Sequence, residues 1–363
     1  MSASAAFFAG SNTCSGFRSG YEAFTGEKDV KFIHIIKGGP GCGKSSFMKA
    51  IASAMLDCGV DVEYLYCSGD PTSLDGVYFP ALAAAYLDGT APHVLEPYCA
   101  GITGGYVGFS EFYDTDGLAA CADEALGLTK DYKSAYARAY AALRAYGELM
   151  NTSAPDPAAE LRAAERVRLI TRRTLGRGKS DAPCIRERRL DAFTYKGTVF
   201  FHETVSALCS RVVLLDDEYG LASGALRACE KEAVSLGHDV IRSLHPLFPD
   251  KVNAVLVPGA SCAFLAADKE RARLFRGSRH VRLDSLAAKS DTQTRLRRRN
   301  AELGAKLLET ARTELSSAKT LHDKLENIFN PFVDFGGVYA LADRHAEMLR
   351  TGAKCFDKSS SGV

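Results

Sequence analysis

The chain has 363 residues, 46% of them apolar, which is enough for two ordinary domains that each bury a core and argues against overall disorder. The 45 basic and 44 acidic side chains leave a net charge of +1 at pH 7, so the overall charge attracts neither nucleic acid nor a membrane surface. The 11 cysteines are scattered and never spaced C-x-x-C, which favours reduced thiols in a cytosol over disulfides or a zinc site.

We find no sequence signal for export or membrane insertion. The N-terminal stretch has no basic region ahead of a long apolar run, as a signal peptide would. No window approaches the roughly 18 consecutive apolar residues of a membrane span. We therefore expect a soluble, cytoplasmic protein with no membrane partner.

The first predicted elements are a strand, a glycine-rich loop and a helix in direct succession. Residues 31–36, KFIHII, form an apolar run typical of a strand buried on both faces of a parallel sheet. The loop GGPGCGKS, from Gly38 to Ser45, fits the pattern G-x-x-x-x-G-K-[ST], and the helix that follows ends at Gly59. This succession predicts the phosphate loop of a P-loop nucleotide-binding protein.

The residue types of this loop suit a bound triphosphate. Glycines let the backbone N–H groups turn inward around the phosphates, and the helix that begins near Lys44 directs its positive dipole end at them. We expect Lys44 to bridge the β and γ phosphates and the Ser45 hydroxyl to ligate Mg²⁺. The predicted ATP-binding residues are Gly38, Gly39, Pro40, Gly41, Cys42, Gly43, Lys44, Ser45 and Ser46.

A second predicted strand, residues 61–68, is followed by two aspartates. Asp70 and Asp75 are expected just beyond its C-terminal edge, where ligands bind in open α/β sheets. Either carboxylate is a candidate catalytic base or a polar contact to a second substrate. Because Asp-Pro and Asp-Gly are common turn formers, a purely structural role is the alternative for both.

A third apolar run, residues 81–93, contains a candidate metal ligand. Asp88 closes the hydrophobic part of this run, as the acidic residue of a Walker B element does, and is expected to hold Mg²⁺ opposite Ser45. No glutamate follows Asp88, so the water-activating base of many ATPases is missing at that position. Thr90 and His93 are candidates for sensing the γ phosphate, and a structural role is the alternative for the histidine.

The sequence matches itself weakly at an offset of about 179 residues. FIHII aligns with RVVLL, GVDV with GHDV, and VYFPALAAAYL with VLVPGASCAFL, in the same order. We interpret the match as a duplication, with a P-loop domain over residues 1–178 and a degenerate repeat over residues 186–363, joined by a linker at 176–189. The predicted fold class is α/β, with two tandem P-loop NTPase-like parallel-sheet domains.

The repeat lacks the phosphate loop in this alignment. Asp217, Glu218, Ser223 and Gly224 stand opposite Gly38, Gly39, Lys44 and Ser45, and Gly220 stands opposite Gly41. Acidic side chains at the phosphate position replace attraction by repulsion, and the lysine is gone. We expect the second half to bind no nucleotide, and to cover or position the first site or to provide a docking surface.

Helices and basic residues complete the chain. The segments 116–175 and 286–350 are amphipathic, and we expect each to form a helical hairpin that projects from its sheet domain as a cap, a dimer face or a substrate lid. The run 295–299 is typical of a solvated helix face, with a phosphate or nucleic-acid contact as the alternative. Candidates for an arginine finger are Arg172, Arg173, Arg186, Arg188 and Arg189.

The order of the motifs resembles a known family. The runs GGPGCGKSSFMKAIA, CSGDPTSLDGV and LDGTAPHVLEP are similar to those of bacterial P-loop ATPase-like proteins with two tandem halves, described as ATP-binding proteins of unknown function. The resemblance covers nearly the whole chain and implies an ATP site at Gly38–Ser45, with Asp75 and Asp88 as motif members. That family carries a phosphate loop in the second half as well, and this chain departs from the pattern there.

From these features we predict a Mg²⁺-dependent ATP-binding protein that hydrolyses ATP and uses binding and hydrolysis to rearrange its two halves. Lys44 and the loop amides would stabilise the transferred phosphoryl group. The alternatives are a small-molecule kinase, in which Asp70 or Asp75 orients the acceptor, and a non-catalytic nucleotide-binding module. Besides ATP we expect a macromolecular partner or a small-molecule acceptor, and a homo-oligomer is compatible with the sequence, whereas nucleic acid is not expected.

Overall fold

The computed structural model describes residues 4–153, 155–287 and 291–356. Within these residues the chain divides into two compact units. The first comprises residues 4–9, 25–137 and 314–356, and the second comprises residues 10–24, 138–153, 155–287 and 291–313. Each unit therefore combines segments that are distant in the sequence.

Strands and helices alternate along most of the chain. The strands are β1 (Ser4–Phe8), β2 (Gly10–Thr13), β3 (Gly16–Ser19), β4 (Phe32–Lys37), β5 (Val62–Tyr66), β6 (Leu74–Phe79), β7 (Ala84–Asp88), β8 (Gly104–Gly108), β9 (Ile185–Glu187), β10 (Asp191–Thr194), β11 (Gly197–Phe200), β12 (Arg211–Asp216), β13 (Val240–Leu244), β14 (Val252–Val257), β15 (Cys262–Ala267) and β16 (Arg279–Arg282). The helices are α1 (Tyr21–Thr25), α2 (Lys44–Asp57), α3 (Thr115–Ala119), α4 (Ala122–Asn151), α5 (Pro157–Leu175), α6 (His202–Leu208), α7 (Ala222–Ser235), α8 (Lys269–Leu274), α9 (Asp291–Phe329) and α10 (Phe335–Phe356).

The first unit is built around a six-stranded sheet with the order β1-β5-β6-β7-β4-β8. Neighbouring strands are parallel except where β6 pairs with β5 and β7. The apolar run of β4 lies between β7 and β8, and Ile35 and Ile36 are fully buried, as its sequence predicts. Helix α2 packs against this sheet through apolar residues at helical spacing, namely Phe47, Met48, Ile51 and Met55. The predicted α/β class is confirmed.

The second unit contains a six-stranded sheet with the order β16-β12-β15-β14-β13-β9. The order from β16 to β9 has the same sequence of parallel and antiparallel pairs as the order from β8 to β1 in the first sheet. In the second sheet β14 is the strand antiparallel to both neighbours, as β6 is in the first. Corresponding register shifts fall after Leu65 in β5 and after Ser243 in β13. A residue with a positive φ angle precedes β7 (Ala83) and β15 (Ser261). The sheets thus share strand order, direction and local irregularities.

The last helix of each sequence half packs in the unit that contains the other sheet. Helix α10 packs on α2 through Val338, Ala342, Ala346 and Leu349. Helix α5 packs on α7 through Ala159, Ala163, Val167, Thr171 and Leu175. The alanines four positions apart in each set, Ala342 and Ala346 in α10 and Ala159 and Ala163 in α5, let each helix pair approach closely. The expectation that α5 and α10 project from their own sheets is therefore corrected. The domain limits at residues 178 and 186 stay a prediction, because duplicated segments and compact units need not coincide.

The segment 176–189, interpreted as a linker, contains structured residues of the second unit. Strand β9 pairs in parallel with β13. The N–H groups of Gly178 and Ser180 donate to backbone carbonyls at 2.7 and 3.0 Å. Arg188 and Arg189 are 3% and 4% exposed. A strand of three residues is too short to show a periodic pattern, which explains why the sequence did not reveal it.

Helices α4 and α9 are the longest in the described ranges, with 30 and 39 residues. Both carry charged side chains along their length. Neither these helices nor any other in the described part of the chain is apolar enough over a sufficient length to span a membrane.

Candidate functional site

The predicted phosphate loop connects the end of β4 to the start of α2. Gly41 and Gly43 have φ angles of 68° and 89°, in the left-handed region that glycine adopts readily. Among the described residues, the backbone N–H groups of Gly41–Lys44 have no hydrogen-bond acceptor. Consecutive unpaired N–H groups at a helix N-terminus form a concavity that favours anions.

Lys44, the first residue of α2, folds back onto the loop. Its ammonium group donates hydrogen bonds to the carbonyl oxygens of Gly38 and Gly39, both at 2.8 Å. The same nitrogen lies 3.6 Å from Oδ2 of Asp88, and both side chains are 13% exposed. Limited solvent access strengthens the attraction between these charges. An anion bound by the loop would therefore lie beside a fixed positive charge.

The sheet brings Asp88 to the loop. Asp88 ends β7 and pairs in parallel register with Ile36, the penultimate residue of β4. Its Oδ1 accepts hydrogen bonds from the N–H and the hydroxyl of Thr90, at 2.9 and 2.6 Å. This turn leaves Oδ2 facing Lys44. Gly89 follows directly, so no carboxylate stands next to Asp88 in the chain.

Two side chains outside the motif also hold the loop. The Tyr113 hydroxyl accepts the Gly39 N–H at 2.6 Å. The Asn330 amide donates to the Gly41 carbonyl at 2.9 Å, in the orientation that satisfies its hydrogen bonds. A Cβ on Gly41 would lie 3.1 Å from the backbone of Glu326, so α9 approaches the loop closely. Sequence analysis missed Tyr113 and Asn330, because their positions in the chain give no signal of a contact with the loop.

Asp70 lies in the turn that follows β5, where the sequence predicts it. Its Oδ1 accepts hydrogen bonds from the Thr72 N–H and hydroxyl at 3.0 and 2.7 Å, and its Oδ2 lies 3.3 Å from the Lys319 ammonium group. Burial raises the pKa of Asp70, but the Thr72 hydrogen bonds and the Lys319 charge outweigh it, so the net pKa lies below the usual value. These contacts are typical of a turn residue rather than of a free base.

Asp75 lies within β6, not in a loop beyond β5, so this predicted position is wrong. Residues 74–79 form a strand antiparallel to β5, and the sequence analysis assigned them to no element. Oδ2 of Asp75 lies 3.1 Å from Nε2 of His93, and the two residues are 7% and 6% exposed. A carboxylate this buried is poorly placed to contact a second substrate directly.

The loop of the second unit, residues 217–221, contains an anion of its own. The Asp217 carboxylate accepts hydrogen bonds from the backbone N–H groups of Gly220, Leu221 and Ala222 at the start of α7. Burial raises the pKa of Asp217 and these hydrogen bonds lower it, with a net increase. The N–H groups of residues 220–222 are therefore bonded within the chain.

The second loop is also one residue shorter than the first. Strands β4 and β12 begin at residues 32 and 211, whereas helices α2 and α7 begin at residues 44 and 222. The Ser223 hydroxyl accepts the Val252 N–H at 3.0 Å, just as the Ser45 hydroxyl accepts the Leu74 N–H at 3.0 Å. Ser223 thus corresponds to Ser45.

The alignment from sequence is therefore wrong by one residue at the start of the helix. Ala222 corresponds to Lys44, whereas the sequence alignment placed Ser223 there and Gly224 opposite Ser45. A missing residue in a loop shifts every match after it. The sequence carries a trace of this shift, because FIHII and RVVLL are 179 residues apart, whereas GVDV and GHDV are 178 residues apart.

Strand pairing locates the counterpart of Asp88. Ile36 of β4 pairs with Asp88, and the corresponding Leu215 of β12 pairs with Ala266. The second unit therefore has alanines where the first has Lys44 and Asp88. It keeps the backbone framework and the serine but neither charged group.

Two of the candidate arginine fingers, Arg172 and Arg188, have partners within the second unit. Nε of Arg172 lies 2.5 Å from the Glu232 carboxylate. The Arg188 guanidinium lies 4.8 Å from the centre of the Phe24 ring. Arg297, in the basic run, donates to two backbone carbonyls. These contacts are structural and give no support to a finger role.

Comparison of the chain with models of known protein families, with curated proteins and with solved structures gives no match. We therefore infer a function from the residues of the site.

Proposed function

We propose that the first unit is a P-loop NTPase domain that binds Mg²⁺-ATP, and that the protein is a cytoplasmic, slow ATPase. The observation that carries this proposal is the row of unpaired N–H groups at Gly41–Lys44 beside the ion pair of Lys44 and Asp88. Converging N–H donors and a lysine are suited to phosphate oxygens, which are anionic acceptors. The strand before the loop and the helix after it provide the expected context.

The oxygen atoms near the loop also suit Mg²⁺. The Ser45 hydroxyl and the Asp88 carboxylate are hard ligands of the kind this ion prefers. When bound with ATP, the ion would neutralise charge on the β and γ phosphates. Lys44 would exchange its hydrogen bonds to Gly38 and Gly39 for bonds to phosphate oxygens, and the loop N–H groups would stabilise the transferred phosphoryl group.

We propose slow turnover because no carboxylate directly follows Asp88 in the sequence. Gly89 follows it, and the Thr90 hydroxyl already donates to Asp88. Contacts of the loop with the end of α9 support a coupling between nucleotide binding and the helices, since Asn330 is bonded to Gly41. Rearrangement of the two halves is the proposed output of that coupling.

The second unit is proposed to be a repeat of the same domain that has lost nucleotide binding. Matching strand order, pairing direction and register shifts support duplication. Ala222, Ala266 and the internal Asp217 carboxylate account for the loss. The remaining role of this unit is to position the first site or to dock a partner.

Phosphate release from Mg²⁺-ATP by the purified protein tests the proposal. Lys44→Ala should reduce turnover by about 100-fold or more, because a group that stabilises the transferred phosphoryl is removed. Ser45→Ala and Ser223→Ala form a matched pair, since each deletes the same serine-to-backbone hydrogen bond. Only Ser45→Ala should impair Mg²⁺-ATP turnover. Equal turnover in the two serine variants, or in Lys44→Ala and the wild type, would contradict the proposal.

Two other functions have some support. A non-catalytic nucleotide-binding module is favoured by the absence of a carboxylate after Asp88 in the sequence, and it would bind Mg²⁺-ATP without releasing phosphate. A small-molecule kinase would need an accessible carboxylate, and Asp70, with a side chain 24% exposed, meets that need better than the buried Asp75. Transfer of phosphate to a metabolite rather than to water would identify the kinase.

A further inference from the structure

A buried pair of side chains anchors the turn that carries Asp88. Asp75 and His93 contact each other at 3.1 Å, and their side chains are 10% and 6% exposed. The His93 N–H donates to the Thr90 carbonyl at 2.8 Å, and Thr90 donates twice to Oδ1 of Asp88. His93 thus fixes the far end of the turn whose first residue is Asp88.

The same pair is connected to Ser45. Asp75 follows Leu74 in β6, and the Leu74 N–H donates to the Ser45 hydroxyl at 3.0 Å. A continuous path therefore runs from one proposed metal ligand to the other, through Leu74, the buried pair and Thr90. Such a path restricts both the hydroxyl of Ser45 and the carboxylate of Asp88.

The second unit provides an internal comparison for the pair. Gly76 pairs with Leu87 in the first sheet, and Ala254 pairs with Leu265 in the second, so Ala254 corresponds to Gly76. Asn253, which precedes Ala254, therefore corresponds to Asp75. His93 lies five residues after Asp88, and Arg271 lies five residues after Ala266, the counterpart of Asp88. Arg271 therefore corresponds to His93.

Asn253 and Arg271 are buried, but they do not form the same pair. Both donate to the Asp191 carboxylate instead. The unit that lacks the lysine and the metal-binding aspartate therefore also lacks the Asp–His pair. It retains the serine-to-backbone hydrogen bond of the shared framework. The Asp75–His93 pair is thus absent from the unit that lacks Lys44 and Asp88, whereas the serine-to-backbone hydrogen bond is present in both units.

We propose that Asp75 and His93 are positioning residues for Mg²⁺-ATP: they hold the 88–93 turn so that Asp88 presents Oδ2 toward Lys44 and the metal. This inference rests on the proposed function. It assigns Asp75 an indirect role, in place of the direct catalytic role predicted from its sequence position. Substitution of residues that orient metal ligands typically reduces metal affinity by 10- to 100-fold.

The test measures ATP affinity with Mg²⁺ and again with a chelator, in the full chain. His93→Ala should weaken Mg²⁺-ATP binding by about 10-fold or more and leave metal-free ATP binding unchanged, because Lys44 and the loop are untouched. Asp75→Asn keeps an acceptor for the imidazole N–H and should retain most of the Mg²⁺ effect. Asn253→Ala removes the corresponding buried amide in the second unit and should lower the melting temperature without changing Mg²⁺-ATP affinity.

The outcomes separate the two proposals. If the wild type binds no Mg²⁺-ATP, the proposed function fails first and the positioning role fails with it. If the wild type binds and His93→Ala binds equally well, or loses affinity equally with and without Mg²⁺, only the positioning role is overturned. Should His93→Ala not fold, Thr90→Ala removes the hydroxyl bonded to Asp88. The proposal then predicts the same selective loss, and wild-type Mg²⁺ dependence in Thr90→Ala would overturn it.

Discussion

The two loops differ in the backbone groups that their charged side chains bind. The Asp217 carboxylate binds N–H groups, whereas the Lys44 ammonium group binds carbonyl oxygens. Asp217 accepts hydrogen bonds from the N–H groups of Gly220 and Leu221, which precede α7, and from that of Ala222, its first residue. Lys44 is instead bonded to two carbonyl oxygens and faces Asp88, which leaves the N–H groups of its own loop unpaired. The N–H groups of residues 220–222 in the second loop are thus bonded to an anion of the chain itself, and we propose that those of the first loop bind an external anion.

Two histidines, the buried His34 and the partly buried His245, make the stability of the protein depend on pH. Burial lowers the pKa of His34 and of His245 to about 3 in the folded state, against an ordinary value of 6.5. A nearby His345 adds to the effect at His34, and positive charges add to it at His245. The neutral rings stabilise the fold fully above pH 6.5, and this contribution is lost as the pH falls from 6.5 toward 3.

We predict that His245→Asn makes the protein less sensitive to acid. Nδ1 of His245 accepts the N–H groups of Leu247 and Phe248 at 3.1 and 3.3 Å, and an asparagine oxygen can replace that acceptor without titrating. Between pH 7 and pH 5 the variant should lose about 2 kcal/mol less unfolding free energy than the wild type. Urea unfolding at each pH measures this difference. His202→Asn is the surface control, and a pH dependence in His245→Asn equal to that of the wild type would refute the assignment.

At the scale of elements, the sequence predicted those with a strong local signal. Strands β4, β5 and β7 and helix α2 are confirmed, because each is an apolar run of suitable period with a glycine or aspartate at its end. Strand β6 was missed because only a short turn separates it from β7. That turn is made by Pro80 and by Ala83, which has a φ angle of 50°. A non-glycine residue in the left-handed region gives no sequence signal.

Ala83→Gly should stabilise the protein. Alanine in the left-handed region is disfavoured by roughly 1–2 kcal/mol relative to glycine, and the extra freedom of glycine in the unfolded chain offsets about 0.4–1 kcal/mol of that. We expect a net gain of about 0.5–1 kcal/mol in the free energy of unfolding, measured by urea titration. Ala81→Gly, two residues earlier and at an ordinary φ angle, should destabilise by a similar amount. A loss of stability in Ala83→Gly would contradict the strained geometry.

At the scale of the whole molecule, packing partners were beyond the reach of sequence analysis. The helical patterns of α5 and α10 predict that each buries one face, but periodicity does not say against which helix. In the structure α5 packs on α7 and α10 on α2. The same limit applies to the loop, since Asn330 reaches Gly41 only through tertiary structure. The glycine-rich motif is local in sequence and could be found there, whereas its contacts with Tyr113 and Asn330 could not.

We propose that the chain, which contains two similar sheets, has one nucleotide site. Calorimetric titration of the full chain with Mg²⁺-ATP, which counts the sites, tests this most directly. We predict one site per chain, lost in Lys44→Ala and retained in Ser223→Ala. Two sites per chain, or binding that survives Lys44→Ala, would contradict the account.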